Sequence, residues 1–450
     1  MNKRFIFNLL LLFALSAGAQ DEVLSLQQCR ELALENNKEM AVAVKKTKSA
    51  HFTMKSYRGN FFPNINVNGM GMYSNVDGTL GIPIGDIPLS LPILPGIRLE
   101  HTFHLPDLNL DYKAKTFFTA GVSLEQPIYM GGKIMSAFKM SKLGKEMAQL
   151  NEHLTASEVI LATDNAYALL VKAKEMKKVA ESYHAVLQEL MRNVESACKH
   201  GLKTQNDRLK VQVKLNESEL GMRKAENAER LASMNLCHYI GKPLDTPIAV
   251  ADDLPAISME MEAQADDIST RPEFGLLSKK VDIAQQQVKL NRSAVLPQIG
   301  VRAAYDYANG LEIGNQKLFD NAGFSVMLSV KIPIYHFGER YHKIHAAKTN
   351  LELARLEQAD LNEKMLLELN QAANNLDEAR LEAEISERSL AQAEENMRVS
   401  KSQYEAGMES LSEHLEAQAL WQQAYATKVD ASFQLYLSNI KYLKATGQLK

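Results

Sequence analysis

Reactive side chains gather most closely in YEAGMESLSEHLEAQ, residues 404–418. Glu413 and Glu416 stand three apart there, a spacing that puts both carboxylates on one face of a helix. Such a pair could collect cations, or it could be an ordinary solvated face. Gly407, just upstream, interrupts a stretch that holds neither Gly nor Pro from Glu339 to Ala406. Two histidine pairs are the other candidates: His101 with His104 in EHTFHL, and His342 with His345, one turn apart on a helix. Either pair could hold a metal given a third ligand, although surface or hydrogen-bonded histidines are the commoner outcome, and no metal is expected. Cys29, Cys198 and Cys237 are odd in number and sit in helix-like settings, which suits small buried thiols better than a disulfide framework. There is no Gly-rich phosphate loop, no HExxH and no nucleophile elbow. We therefore expect neither an enzyme nor a cofactor.

The composition agrees with a folded chain. It is 46% hydrophobic and 23% charged with a net charge of −3, which gives no reason to expect nucleic acid. Residues 1–19 read as an export signal: Lys3 and Arg4, an apolar run from Phe5 to Ala14, then Ala17-Gly18-Ala19. Gln20 follows rather than Cys, so a lipid-anchored N-terminus is not expected. Downstream there is no apolar run of ~18 residues, hence no expected transmembrane helix. A β-barrel needs only short alternating strands and stays open.

What positions the acids is a duplication. GVSLEQPIYMGGK (121–133) parallels MLSVKIPIYHFGE (327–339), and Pro127 and Pro333 are 206 residues apart. Gly201 and Gly407 share that spacing, as do Gly241 and Gly447. Upstream, NFFPNINVNG (60–69) parallels AVLPQIGVRA (294–303) at 234 residues. The first copy therefore carries 28 extra residues, centred on the Pro-rich GIPIGDIPLSLPILPG (81–96). The expected organisation is a first repeat over 20–242, a linker over 243–270 and a second repeat over 271–450.

Each repeat begins with a helix and holds a strand hairpin, expected at 61–127 and 297–333. Phe324, Val326, Leu328, Val330 and Ile332 alternate with polar neighbours, as do Phe118, Ala120, Val122 and Leu124. Ile299, Val301, Ala303, Tyr305 and Tyr307 repeat the pattern, and Ile65 and Val67 show it more weakly. Strands of about ten residues, apolar on one face, suit a membrane. An ordinary soluble sheet would show the same alternation. Four strands cannot close a barrel, which takes about eight or more, and lipid does not tolerate open edges. If they span a membrane, several chains must share one barrel, and three would supply twelve strands.

Long helices succeed the hairpins, at 133–200 and 339–406, with return helices at 202–240 and 408–446. At 1.5 Å per residue the long ones reach ~100 Å. Gly201 and Gly407 suit tight turns between antiparallel helices. Thr204 and Ser410 can cap the return helices, with Asp207 and Glu413 complementing the helix N-termini.

With these features in place, the chain resembles the TolC family of outer membrane efflux proteins over about residues 24–447. The resemblance rests on the junctions QPIYMGGK (126–133) and IPIYHFGER (332–340), marked by Pro127, Gly132, Pro333 and Gly338. It rests also on the turns HGLKTQNDRL (200–209) and AGMESLSEHL (406–415), and on FFPNI and VLPQI. It implies a mixed α and β membrane protein, a homotrimer. A twelve-stranded β-barrel in outer-membrane lipid would continue into a periplasmic twelve-helix α-barrel, with a belt built partly from 243–270. Such a duct is passive. It docks to a periplasmic adaptor (a membrane fusion protein) and an inner-membrane transporter of the RND or ABC type. The resemblance places the docking turns at Gly201, Leu202, Thr204, Gly407, Met408 and Ser410, and the pore constriction at Tyr404, Glu413 and Glu416. Glu409 stands where some members carry a basic residue. The competing reading is a soluble periplasmic coiled-coil scaffold or adaptor, which would not need four strands with apolar faces.

Overall fold

The computed structural model describes residues 23–94, 97–251, 268–313 and 316–449. The expected export signal, and most of the 243–270 linker, lie outside the described residues. The chain forms two compact units. One comprises Phe52–Lys142 and Ile283–Glu352; the other holds the described parts of Met1–His51, Leu143–Asp282 and Leu353–Lys450.

In chain order the elements are β1 (Val23–Leu24), α1 (Leu26–Asn36), α2 (Lys38–Gly59), β2 (Asn64–Ile82), β3 (Asp86–Leu94), β4 (Ile97–His104), β5 (Leu108–Met130), α3 (Lys133–Lys199), α4 (Gln205–Tyr239), β6 (Ala249–Val250), α5 (Pro272–Ser293), β7 (Gln298–Ile313), β8 (Gln316–Lys331), α6 (Glu339–Glu405) and α7 (Leu411–Ala445). The duplication is visible in these bounds. The helices α3 and α6 each have 67 residues and α4 and α7 each have 35, with every boundary displaced by 206. The return helices start at Gln205 and Leu411, three residues later than the sequence suggested, because Thr204 and Ser410 cap them.

The sheet unit is a four-stranded antiparallel sheet in the order β2-β5-β7-β8. Its strands run to 19, 23, 16 and 16 residues, longer than the ten expected. The register explains the alternation in the sequence. Ile65, Leu124, Ala303 and Val326 form one row of opposed residues across all four strands, and Val67, Val122, Tyr305 and Phe324 form another. Opposed residues point to the same side of a sheet, so these rows make one apolar face, and it is largely exposed in the single chain. The alternate rows are mostly polar: Asn66, Ser123, Ala304 and Ser325, then Asn64, Glu125, Arg302 and Met327. At Gly121 a Cβ would fall 1.9 Å from Oδ1 of Asp306, so the glycine makes room for a carboxylate on that polar face. The Pro-rich insertion is itself a hairpin, in which β3 pairs with β4 as a separate two-stranded sheet.

The two strand-to-helix junctions share an unusual backbone. Gly131 and Gly132 have φ of +62° and +82°, and their repeat mates Phe337 and Gly338 have +43° and +79°. A Cβ at Gly131 would lie 2.7 Å from the Ser293 carbonyl oxygen, which requires glycine there. Phe337 is exposed and packs edge-on against Tyr335, so space is available, and only backbone strain opposes the larger residue.

In the helical unit, the upstream segment expected as one helix breaks at Asn37, whose backbone is extended (ψ 135°). Its side chain accepts from the Glu39 N–H at 2.7 Å and donates to the Tyr239 carbonyl at 3.1 Å. The break brings α1 onto α3 and α4. Leu24, Cys29, Ala33, Val159, Tyr167, Leu170, Leu236, Ile240 and Val250 form one core. Parallel pairing of β1 with β6 closes it. Within this unit Asp164 is fully buried and receives Nε and Nη2 of Arg30 at 2.7 and 2.5 Å. Burial pushes the Asp164 carboxyl up despite the opposing pull of Arg30. The cysteines are free thiols. Cys29 and Cys237 are buried and Cys198 half-buried, and burial raises Cys29 to about 11.

Candidate functional site

The two helix–helix turns at the ends of α3 and α6 are near copies. Gly201 and Gly407 both have φ +73°. The Leu202 N–H donates back to the Ala197 carbonyl at 2.8 Å, and the Met408 N–H to the Gln403 carbonyl at 2.9 Å. These long backward bonds over a left-handed glycine close each helix in the Schellman manner. Each return helix then starts with a reciprocal cap. Thr204 pairs with Asp207 and Ser410 with Glu413, side chain to backbone in both directions. Hydrogen bonds from Thr204, backbone first and then hydroxyl, hold the Asp207 carboxyl below the usual range. Those from Ser410, hydroxyl first and then backbone, lower Glu413.

Packing joins the turns. Tyr183, Leu187, Leu190, Met191 and Val194 on α3 meet Val211 on α4 and Leu411 and Leu415 on α7. Lys203 Nζ lies 4.7 Å from the centre of the Tyr404 ring, and Lys210 Nζ donates to Ser412 Oγ at 3.2 Å. Leu202 and Met408, one repeat apart, are the exposed apolar tips of the two turns, at 77% and 76%.

Of the pore residues suggested by the sequence, Glu413 and Glu416 are exposed, and Glu413 is also the capping carboxylate. Tyr404 is half-buried and stacks flat on His414, with ring centres 4.9 Å apart and planes 5° apart. His414 is the residue that sequence reasoning passed over. Its Nδ1 is 3.0 Å from Ser400 Oγ and its Nε2 is 2.9 Å from Gln418 Nε2, while Ser400 Oγ donates to Glu409 Oε1 at 2.8 Å. A signal was present: His414 falls in the apolar phase of α7 between Leu411 and Leu415, and a buried polar side chain must find partners. His101 packs on Phe103 and His345 on Tyr341, and among the described residues no group of three or more His, Cys, Asp or Glu could hold a metal ion.

At the sheet unit's junctions, Pro127 and Pro333 precede the turns at Gly132 and Gly338. Ile128, Tyr129, Ile332, Ile334, Tyr335, Phe337 and Tyr341 are exposed around them. Aromatic and aliphatic side chains of this kind line membrane–water boundaries. Among the described residues no helix is long and apolar enough to cross a membrane.

Comparison with known proteins agrees with this geometry. The family described as outer membrane efflux protein matches residues 29–242 and 265–448. The outer membrane efflux protein BepC of Brucella suis biovar 1 is 23% identical over 350 residues, covering 75% of this chain and 74% of BepC. Protein CyaE of Bordetella pertussis is 26% identical over 330 residues, covering 70% and 68%. Among solved structures, the Campylobacter jejuni CmeC outer membrane channel superposes with a TM-score of 0.77 at 18% identity, covering 94% of this chain and 85% of CmeC. The Vibrio cholerae outer membrane protein VceC gives 0.74 at 14% identity, covering 94% and 96%.

Proposed function

The chain belongs to the outer membrane efflux protein family and is an exit duct of the outer membrane; from that premise we propose that three copies close one barrel. The observation that carries this is the sheet. Its apolar rows cross all four strands, yet four strands leave β2 and β8 as edges, and an edge in lipid costs several kcal/mol per unpaired backbone group. Pairing β2 of one copy with β8 of the next removes both edges, and twelve strands are enough to enclose a channel. The apolar rows then face lipid and the polar rows, with Glu125, Arg302 and Asp306, face water. The helices of three copies would line up as a twelve-helix tube in the periplasm.

At the helical tip, the turns carrying Gly201, Leu202, Thr204, Gly407, Met408 and Ser410 serve as the docking surface for a periplasmic adaptor. An inner-membrane transporter of the RND or ABC type supplies the energy. Tyr404, Glu413 and Glu416 face the pore, and the two acids form stacked carboxylate rings that attract cations. The duct is passive, so its cargo is chosen by the transporter. Membrane fractionation tests the reading. The protein should stay with outer membranes after peripheral proteins are stripped and leave only with detergent. Release without detergent would return the chain to the soluble coiled-coil reading.

A further inference from the structure

Four helix ends emerge side by side from one edge of the four-stranded sheet. β2 starts at Asn64 opposite Glu125, and Gln298 at the start of β7 faces both Met130 and Lys331, the last residues of β5 and β8. So α2, α3, α5 and α6 meet the strands at one level. Phe61 packs edge-on against Phe138 with ring centres 5.6 Å apart, Gly131 lies against the Ser293 carbonyl, and Asn291 Nδ2 donates to the Lys343 carbonyl at 3.4 Å. We propose that these helix ends form a basic collar that holds the anionic phospholipid headgroups of the periplasmic leaflet. The proposal rests on the reading of the sheet as the membrane-spanning part of the duct.

The collar is written four times at one spacing. At the end of α2, exposed Phe62 in the closing turn is followed back along the helix by Arg58 and Lys55, four and seven residues away. At the start of α3, exposed Met135 is followed by Lys139 and Lys142 at the same two intervals. The second repeat reproduces both. Leu296, Arg292 and Lys289 stand 234 residues after the first set, and Tyr341, His345 and Lys348 stand 206 after the second. Leu296 and Tyr341 are exposed, as are all the basic residues except the half-buried Lys348. Residues stepped by four and then three share one helical face. Each face therefore begins apolar at the strands and turns basic away from them. At 1.5 Å per residue the two bases lie ~6 and ~10 Å beyond the apolar residue. Headgroups fill a layer of about 5–8 Å outside the hydrocarbon. The first base sits within that layer, and the second, a lysine on every helix, reaches up to it along its flexible stem.

Acids are missing from this level. In residues 52–62, 131–142, 283–296 and 331–351 the one acid is Glu339, which pairs with Lys343 and His336. Among the described residues none of the collar's lysines and arginines named above has a carboxylate partner. Acids return at Glu352, and further along the same helices the bases are paired. Lys279 Nζ is 2.7 Å from Glu146, and Lys280 Nζ is 2.5 Å from Glu357. Like charges gathered at one level without internal counter-charge repel one another, and an anionic membrane surface supplies that counter-charge. The middle helices α3 and α5 have neighbours from their own chain on both sides, so their exposed faces look into the lumen or out of the tube. Exposed Met135 and Leu296 favour the outside, where they meet lipid rather than water.

The test offers phosphatidylglycerol and phosphatidylcholine of equal chain length, in equal amounts, to the full-length detergent-purified protein. The readout is the ratio of the two lipids that stay bound after washing. Wild type should retain several-fold more phosphatidylglycerol. The ratio should fall toward one between about 0.1 and 1 M salt, as the screening length shrinks from about 10 to 3 Å. Equal retention by wild type, or a ratio that ignores salt, overturns the proposal without any variant, so it stays testable if a variant fails to assemble. Arg58→Gln with Lys142→Gln, Arg292→Gln and Lys348→Gln removes one charge from each helix and should bring the ratio close to one; an unchanged ratio is fatal. Lys364→Gln with Arg380→Gln, Arg388→Gln and Arg398→Gln removes as many charges from α6 in the helical unit and should keep the wild-type ratio. An equal fall there would assign the preference to net charge and overturn the collar. Free glycerol phosphate, the headgroup without chains, should displace none of the bound lipid at equal concentration; displacement would make this a site for soluble anions instead. The membrane reading fails separately. Release from outer membranes without detergent removes that reading itself, whereas a detergent-dependent protein that retains the two lipids equally removes only the collar.

Discussion

Gly241 and Gly407 adopt the same left-handed backbone, φ +72° and +73°, in opposite surroundings. A Cβ at Gly241 would lie 2.6 Å from the Asn36 Cβ, whereas one at Gly407 would meet nothing within 4 Å. Alanine at Gly407 should therefore cost only the backbone strain, about 1–2 kcal/mol. At Gly241 the clash with α1 should add about 1–3 kcal/mol. Denaturant melts of the two variants followed by circular dichroism check the order, and equal losses would show that α1 yields freely.

The buried pair Arg30–Asp164 makes a second prediction. Asp164 is 0% exposed and its carboxyl is raised by burial, so the ion pair does not fully offset desolvation. Removing one partner strands a buried charge. Asp164→Ala should destabilise by about 3–5 kcal/mol, while replacing both residues with apolar ones of similar volume should be close to neutral. A double-mutant cycle on thermal unfolding measures this, and additive losses would contradict it.

Leu202 and Met408 expose apolar side chains at equivalent points of the two turns. If the turns dock an adaptor, Leu202→Asp with Met408→Asp should abolish adaptor cross-linking through Lys203 and Lys401 while leaving the assembled duct intact. Undiminished cross-linking would move the docking surface elsewhere.

Neutralising the tip acids tests the pore. Glu413→Gln preserves an acceptor for the cap on Ser410, so the fold should persist. The Glu413→Gln, Glu416→Gln double variant should lose cation preference and block by polyvalent cations in bilayer recordings. Wild-type block in that variant would assign the acids to capping and solvation alone.

Much of the fold was legible in the sequence because the signals were periodic or conformational. Glycines spaced by 206 marked the turns, since only a left-handed residue closes those helices. The period-two pattern of Phe324 to Ile332 marked β8, and register then carried the same face across Ile65, Val122 and Ala303. The excess strand length was hidden because Gly69 and Gly71 blur the phase of β2. The helix break at Asn37 depends on a bond to Tyr239, some two hundred residues away. The cluster at the tip was hidden for the same reason. Ser400, Glu409, His414 and Gln418 become neighbours only after the turn at Gly407 folds α7 back onto α6.

The central claim is that several copies share one barrel, and native mass spectrometry of the detergent-purified protein tests it most directly. The expected result is a particle of three chains that survives until the detergent is stripped. A stable particle of one or two chains would leave β2 and β8 unpaired or the barrel too small to conduct, and would contradict it.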